Sequence, residues 1–466
     1  MRIIITISIF LYCIIASGQD AQVITFEEYI QLVKENHPVM YQSNLLADKA
    51  ASTKRVARGG FDPKIEGSWD HKSFDDKNYY SLANGALKVP TWYGVDLKAG
   101  YERSSGQFLN ESDALPTRGL WNAGVSIPLG KGLVIDQRRA ELKKADIYES
   151  VTKQEQILME NELLYDAAIT YLEWQIAIAF RDIAQEGQDL ANTRFEGTKE
   201  SYVNGDKPAI DTLESFISLQ TRTLDFQKAS QTLDNAVIAL NNYLWVDGNV
   251  PLEIETGSIP ESVAFDFLST ETSSITIMQD QWIADHPELQ LYQYKIDAID
   301  IDQRLAKEEI KPDIRVEYNP LLAVADNSLF DQFNPSDYKV GTKISYPILQ
   351  RKQRGKIQLN KIKIKDTEYQ RSLKKQELTV KLSTYNNNIQ QTQTQYVLLD
   401  ETVSNYQKML QAENRRLQVG ESSIFLVNSR ETKYLESRYK LVGSIEKLII
   451  NRLTYLLFAT RLNEVI

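Results

Sequence analysis

The side chains best suited to chemistry are few in this chain, and their spacing serves none of the common reactions. The three histidines, His37, His71 and His286, are scattered, and two of them stand directly before prolines, in Asn36-His37-Pro38 and Asp285-His286-Pro287. No His-Glu-x-x-His pair is present to hold zinc, no glycine loop to cradle a phosphate, and no nucleophile elbow. The one cysteine, Cys13, lies in an apolar leader, so the mature chain is expected to have neither a thiol nucleophile nor a disulfide. Among 63 Asp and Glu residues no spacing singles out a pair for general acid–base work. The expectation is no enzyme, with no catalytic residues, metal site or cofactor. A net charge of −10 argues against nucleic acid, which wants a basic field. One basic cluster stands out, Arg351, Lys352, Arg354, Lys356, Lys361, Lys363 and Lys365, with a shorter counterpart in Arg138, Arg139, Lys143 and Lys144. It reads either as a solvated helix face, which is favoured, or as a contact for lipid phosphates.

Residues 1–18 have the layout of a signal peptide. Arg2 is the positive start, Ile3 to Ile15 the apolar run, and Ala16-Ser17-Gly18 the small residues before cleavage. That run is too short to cross a bilayer as a helix, and no later segment reaches 18 consecutive apolar residues. An exported chain of this kind enters a membrane only as a β-barrel.

The elements that would position any functional residue are very long. From Lys356 to Val419 run 64 residues without proline or glycine. Their apolar seats step by fours and threes through Leu378, Leu382, Tyr385, Ile389, Thr392, Tyr396, Leu399, Val403, Tyr406, Leu410, Glu413 and Leu417. That is the 3.5-residue period of a helix supercoiled on a neighbour, and at about 1.5 Å per residue it reaches on the order of 100 Å. Gly420 then reads as the tip of an antiparallel hairpin.

The chain is also a tandem duplication. Pro38 and Pro63 match Pro287 and Pro312 with one constant offset, and each second proline opens an alternating strand. The first repeat, 19–244, reads as helices over 25–57 opened by the Thr25-Phe26-Glu27-Glu28 capping box, strands 64–73 and 119–128, and long helices 135–202 and 209–244. A linker, 245–274, carries Pro251, Gly257 and Pro260. The second repeat, 275–466, reads as helices over 275–310, strands 313–319 and 338–347, and long helices 351–417 and 424–462. Segment 74–118, with its alternating Tyr93, Val95, Leu97, Ala99 and Tyr101, is either a long outer loop or two more strands. The loop is the favoured reading.

Each strand has two faces. Ile65, Trp69, Trp121, Val125, Ile127, Ile314, Val316, Tyr318, Val340 and Ile344 form an apolar one, while Lys64, Glu66, Asp70, Arg315, Glu317 and Lys343 form a charged one. A soluble sandwich and a lipid-facing barrel with an aromatic girdle, including Tyr338 and Tyr346, both suit this pattern. Four strands cannot close a membrane barrel alone, and helices of such length favour the barrel built from several chains.

This strand–strand–long-helix plan, given twice, resembles the TolC family of outer membrane efflux proteins. The likeness rests on the His-Pro helix pair, the strand ends Ile127-Pro128-Leu129 and Tyr346-Pro347-Ile348, and the tips Val203-Asn204-Gly205 and Gln418-Val419-Gly420, and it covers essentially the whole mature chain. It implies a mainly α fold with a membrane β-barrel portion: a homotrimer with one twelve-stranded barrel continued by a helical periplasmic tunnel. It also implies an exit duct for a tripartite efflux or type I secretion system, in which a periplasmic adaptor and an inner-membrane pump dock at the tips. Gly205, Asp206, Lys207 and Pro208, with Gly420, Glu421, Ser422 and Ser423, would be the docking ends. Asp211 and Glu214 match the carboxylates that narrow the family's entrance. The second repeat departs from that pattern, having Leu426, Asn428, Ser429 and Arg430 there, and Arg430 is expected to pair with Glu214 or Asp211. The rival reading is a soluble periplasmic coiled-coil scaffold or adhesion protein.

Overall fold

The computed structural model describes residues 23–254, 257–261, 279–323 and 334–466. The expected signal peptide, half of the linker and the first residues of the helix expected from 275 lie outside those residues. A short strand, β1 (Val23–Ile24), leads into helices α1 (Phe26–Asn36) and α2 (Pro38–Arg58). Strands β2 (Lys64–Phe74), β3 (Lys77–Pro90), β4 (Asp96–Ser105) and β5 (Leu120–Pro128) come next. Helices α3 (Gln137–Val203) and α4 (Ala209–Leu240) follow, 67 and 32 residues long. Three two-residue strands stand between the repeats: β6 (Trp245–Val246), β7 (Val250–Pro251) and β8 (Ile259–Pro260). The second repeat brings α5 (Gln279–Ala284), α6 (Pro287–Glu308), β9 (Asp313–Ala323) and β10 (Tyr338–Ser345). It ends with α7 (Arg351–Gln418, 68 residues), α8 (Ile424–Ala459, 36 residues) and the short α9 (Leu462–Val465).

The repeated His-Pro motif has one atomic explanation in both copies. Proline drives the residue before it out of helical conformation, and the displaced histidine then caps the helix that follows. The Nδ1 of His37 accepts the backbone N–H of Val39 at 3.2 Å, and the Nδ1 of His286 accepts that of Glu288 at 3.2 Å. The capping box expected at Thr25 is present in full, with Thr25 and Glu28 each accepting the other's backbone N–H.

The described parts of the chain gather into two compact units. One, drawn from Met1–Gln42, Met159–Asp280 and Val380–Ile466, is mainly helical. Its core joins Tyr29 and Val33 of α1, Leu164, Tyr171 and Trp174 of α3, Leu240 of α4 and Leu453 of α8. The seats counted along α7 behave as the period demands, since all twelve are buried or half-buried. The two polar seats have polar partners: Asn451 donates to the Thr392 hydroxyl at 3.3 Å, and Glu413 faces Arg430 at 3.8 Å.

The other unit, Ser43–Leu158 with Gln281–Thr379, holds one antiparallel sheet of six strands in the order β10-β9-β5-β4-β3-β2. The two repeats meet in it along β5 and β9, in a ladder that lapses opposite Asn319 and Pro320, where proline has no N–H to give. Segment 74–118 is not a long outer loop. It supplies β3 and β4, fully laddered between β2 and β5. The reason the alternation in β3 is hard to read is its composition. Its apolar face carries Ser81, Ala83 and Gly85, while Leu82 and Ala86 sit on the polar face, so the neighbouring ladders and not the strand's own pattern hold it.

Candidate functional site

The register of the sheet sorts its side chains onto two faces. All ten residues expected on the apolar side share one face. Ile127 stands opposite Val316, Val125 opposite Tyr318, Val340 opposite Tyr318 and Ile344 opposite Ile314, and Leu87, Leu97 and Ala99 of the unexpected hairpin extend the same face. That face is bare, with Ile65 exposed to 87% and Ile344 to 68%. Aromatic rings gather toward the end of the strands away from the helices: Tyr101 lies 4.9 Å from Trp121, and Tyr318 5.7 Å from Tyr338. Others, Trp92 and Tyr93 in the β3–β4 turn and Tyr346 just past β10, stand at the opposite end. Tyr338 and Tyr346 are eight residues apart on one strand path, roughly 26 Å of extended chain, the scale of an apolar band with a girdle at each border.

The opposite face is charged and internally paired. Lys98 reaches Glu317 at 2.6 Å, Ser126 donates to the same carboxylate at 3.4 Å, and Lys88 pairs with Glu66. Asn122 donates to Glu102 at 3.3 Å. At the helix end of the sheet Asp96 accepts from Arg138 at 3.1 Å and from Arg315 at 3.4 Å. Three of the four residues in the short basic cluster of the first repeat are therefore occupied. Arg138 and Arg139 both bond Asp136, and Lys144 pairs with Asp302 at 2.9 Å. Burial alone would raise the Asp136 carboxyl, but the backbone N–H of Arg139 and the two guanidinium groups hold it below the usual range. In the second cluster Lys356 pairs with Glu309 at 3.1 Å, whereas Arg351, Lys352, Arg354, Lys361, Lys363 and Lys365 are exposed.

The helical tips are two copies of one motif. Gly205 and Gly420 have φ of 84° and 81°, the left-handed region that glycine enters without strain. Asp206 N–H returns to the Ser201 carbonyl and Gly205 N–H to that of Tyr202, and Glu421 and Gly420 repeat this with Arg416 and Leu417. This crossed pair satisfies carbonyls that a helix end leaves open. Ser423 then caps α8 through the Leu426 N–H at 3.3 Å, while Pro208 starts α4 without a side-chain bond.

The expected pairing of Arg430 is different in the structure. Within the chain Arg430 faces Glu413 on its own hairpin, at 3.8 Å, and no ion pair among the described residues engages Asp211 or Glu214. Glu413 lies seven residues before its tip glycine and Arg430 ten after, so the hairpin itself brings them level. At the same depths the first repeat has Thr198 and Ser215, both buried. The charged site that sequence reasoning missed is Glu431, only 1% exposed. It pairs with Arg194 of α3 and stands 3.9 Å from Arg222 of α4, while Arg194 also donates to Asn428 at 2.5 Å and Arg222 to Thr432 at 2.8 Å. This ties α3, α4 and α8 together through one buried carboxylate. Only its place on the inner stripe of α8, next to Arg430, hinted at it.

Among the described residues no group of three or more His, Cys, Asp or Glu is arranged to hold a metal ion, and no helix is long and apolar enough to cross a membrane. Residues 279–445 match the model of the outer membrane efflux protein family. The match lies within the second repeat. The fold likeness extends over nearly the whole chain. The outer membrane protein VceC of Vibrio cholerae superposes with a TM-score of 0.67 at 12% identity, covering 93% of this chain and 95% of that one. The outer membrane channel MtrE of Neisseria gonorrhoeae gives 0.64 at 12%, covering 93% and 88%. The CmeC channel of Campylobacter jejuni gives 0.62 at 11%, covering 93% and 85%. No curated protein sequence matches the chain. The fold is shared with these outer membrane proteins.

Proposed function

We propose that the chain is one protomer of a homotrimeric outer-membrane exit duct, its sheet in the membrane and its long helices forming a periplasmic tunnel, serving a tripartite efflux or type I secretion system. The observation that carries this is the two-faced sheet, apolar and bare outside, charged and ion-paired inside. A soluble sandwich would cover the apolar face with a second layer. A bilayer covers it with lipid and leaves the charges to water. A second observation favours several copies over a solitary rod. Leu359, Ile362, Tyr369 and Leu373 form an exposed apolar stripe on α7, at the spacing of a seam for another helix.

In this reading the two glycine tips meet a periplasmic adaptor and, through it, an inner-membrane pump. Asp211 and Glu214 recur three times around the entrance, where they attract cations and repel one another. Arg430 stands 3.8 Å from Glu413 of its own hairpin. The exposed lysines and arginines at the start of α7 face lipid phosphates beside the barrel mouth.

Fractionation tests the reading. The duct requires detergent for its release from outer membranes, and recovery as a soluble periplasmic monomer refutes it in favour of the coiled-coil scaffold. Cysteines at Trp69, Val125, Val316 and Ile344 are expected to resist a water-soluble thiol reagent. Those at Glu66, Arg315 and Lys343 are expected to react.

A further inference from the structure

The six-stranded sheet ends in two open edges. All eleven residues of β2 and all eight of β10 are exposed. Such edges offer rows of unpaired N–H and C=O groups to another strand, and in a membrane no water is present to satisfy them. Five antiparallel steps separate the edges, so β2 and β10 run in opposite directions. The β10 of one copy therefore meets the β2 of the next in the antiparallel sense that the rest of the sheet already uses. Their faces agree as well, since Val340 and Ile344 continue the apolar side of Ile65 and Trp69, and Lys343 continues the polar side of Glu66.

The β3–β4 hairpin is built into the wall between these edges. Its turn is anchored at the helix end by Trp92, stacked on Phe61 at 4.4 Å and 11°, and by Asp96, which bonds Arg138 and Arg315. Its polar side chains, Lys88 and Lys98, pair with Glu66 and Glu317 on other strands. Nothing here resembles a hairpin folded away from the barrel.

We propose that both edges are occupied by further copies of this chain, and that three six-stranded sheets close into one barrel of eighteen strands. The proposal rests on the duct reading above and departs from the twelve strands that four per chain would give. With strands about 4.8 Å apart and tilted about 40°, eighteen enclose a ring roughly 36 Å across between backbones, against roughly 24 Å for twelve. The larger ring falls in the range where porins keep an aqueous channel. The inner face needs that water. Lys64, Lys339 and Lys343 point to it with no ion-pair partner among the described residues, and each is repeated in every copy.

The test uses the whole mature chain, extracted in detergent and returned to lipid nanodiscs, with its native mass measured and its barrel imaged in cross-section by electron cryomicroscopy. The expected result is three chains and eighteen strands. A ring of twelve overturns the proposal, whether it comes from two chains of six or from three chains whose β3–β4 hairpins lie outside the wall. Spin labels on single cysteines at Leu87 and Leu97 give an independent reading. They are expected to be accessible to dissolved oxygen and shielded from a water-soluble nickel chelate, and equal access to the chelate overturns the placement of the hairpin. Release of a monomer without detergent is a different failure, because it removes the duct itself.

Discussion

At the scale of residues, His37 links the local fold to pH. Burial pushes its imidazole below the ordinary value of about 6.5, with the Asn242 backbone acting in the other direction, so the folded chain prefers the neutral ring whose Nδ1 caps α2. A depressed value means that the contribution is complete above about pH 6.5 and fades as the pH falls through the folded value. Thermal melts between pH 7.5 and 5.5 are expected to show the wild type losing stability toward acid, and His37→Asn, which keeps a capping group but cannot titrate, losing less. An equal slope in both removes His37 from the account. Glu431 gives the larger effect. Glu431→Ala strands Arg194 and Arg222 without their anion, and truncating one partner of a buried pair costs about 3–5 kcal/mol. A denaturant midpoint unchanged in that variant refutes the importance of the pair.

At the scale of elements, the glycine tips carry a definite cost for change. A methyl group at Gly205 or Gly420 meets no atom within 4 Å, so any penalty is one of backbone conformation alone. Entering the left-handed region costs an ordinary residue roughly 1–2 kcal/mol. Gly205→Ala and Gly420→Ala are thus expected to lower the unfolding midpoint modestly and equally, and a large difference between them would point to a contact at one tip. These same elements show what a sequence makes legible. Long helices with a sustained 3.5-residue period, proline-marked strand starts and the repeated His-Pro cap were all readable, because each is a local rule expressed many times. The strands β3 and β4 were not, since Gly85, Ala83 and Leu82 blur the alternation and only partners distant in sequence hold them in the ladder. The Arg194–Glu431 pair was hidden for a similar reason. It joins residues 237 apart, and an isolated glutamate on a helix reads as solvated until its neighbours are known.

At the scale of the whole molecule, the exposed stripe on α7 predicts an assembly sensitive to charge. Tyr369→Glu and Leu373→Glu place carboxylates where a neighbouring helix is expected. The extracted protein should then shift from three chains toward one in native mass, while the circular dichroism of the single chain stays helical. Retention of the full assembly by the double variant would move the subunit seam elsewhere. The β3–β4 hairpin bears on the molecule at this scale too. A strand inserted alone would reverse the direction of β5 and deliver α3 to the wrong side of the membrane. Inserted as a hairpin, it returns the chain to the same side and leaves every later element undisturbed. Barrel girth in such an architecture is therefore discrete, changing by two strands per chain and six per trimer. A lineage adjusting the calibre of its outlet has a coarse set of sizes to choose from, each reached by one local insertion that leaves the helices unchanged.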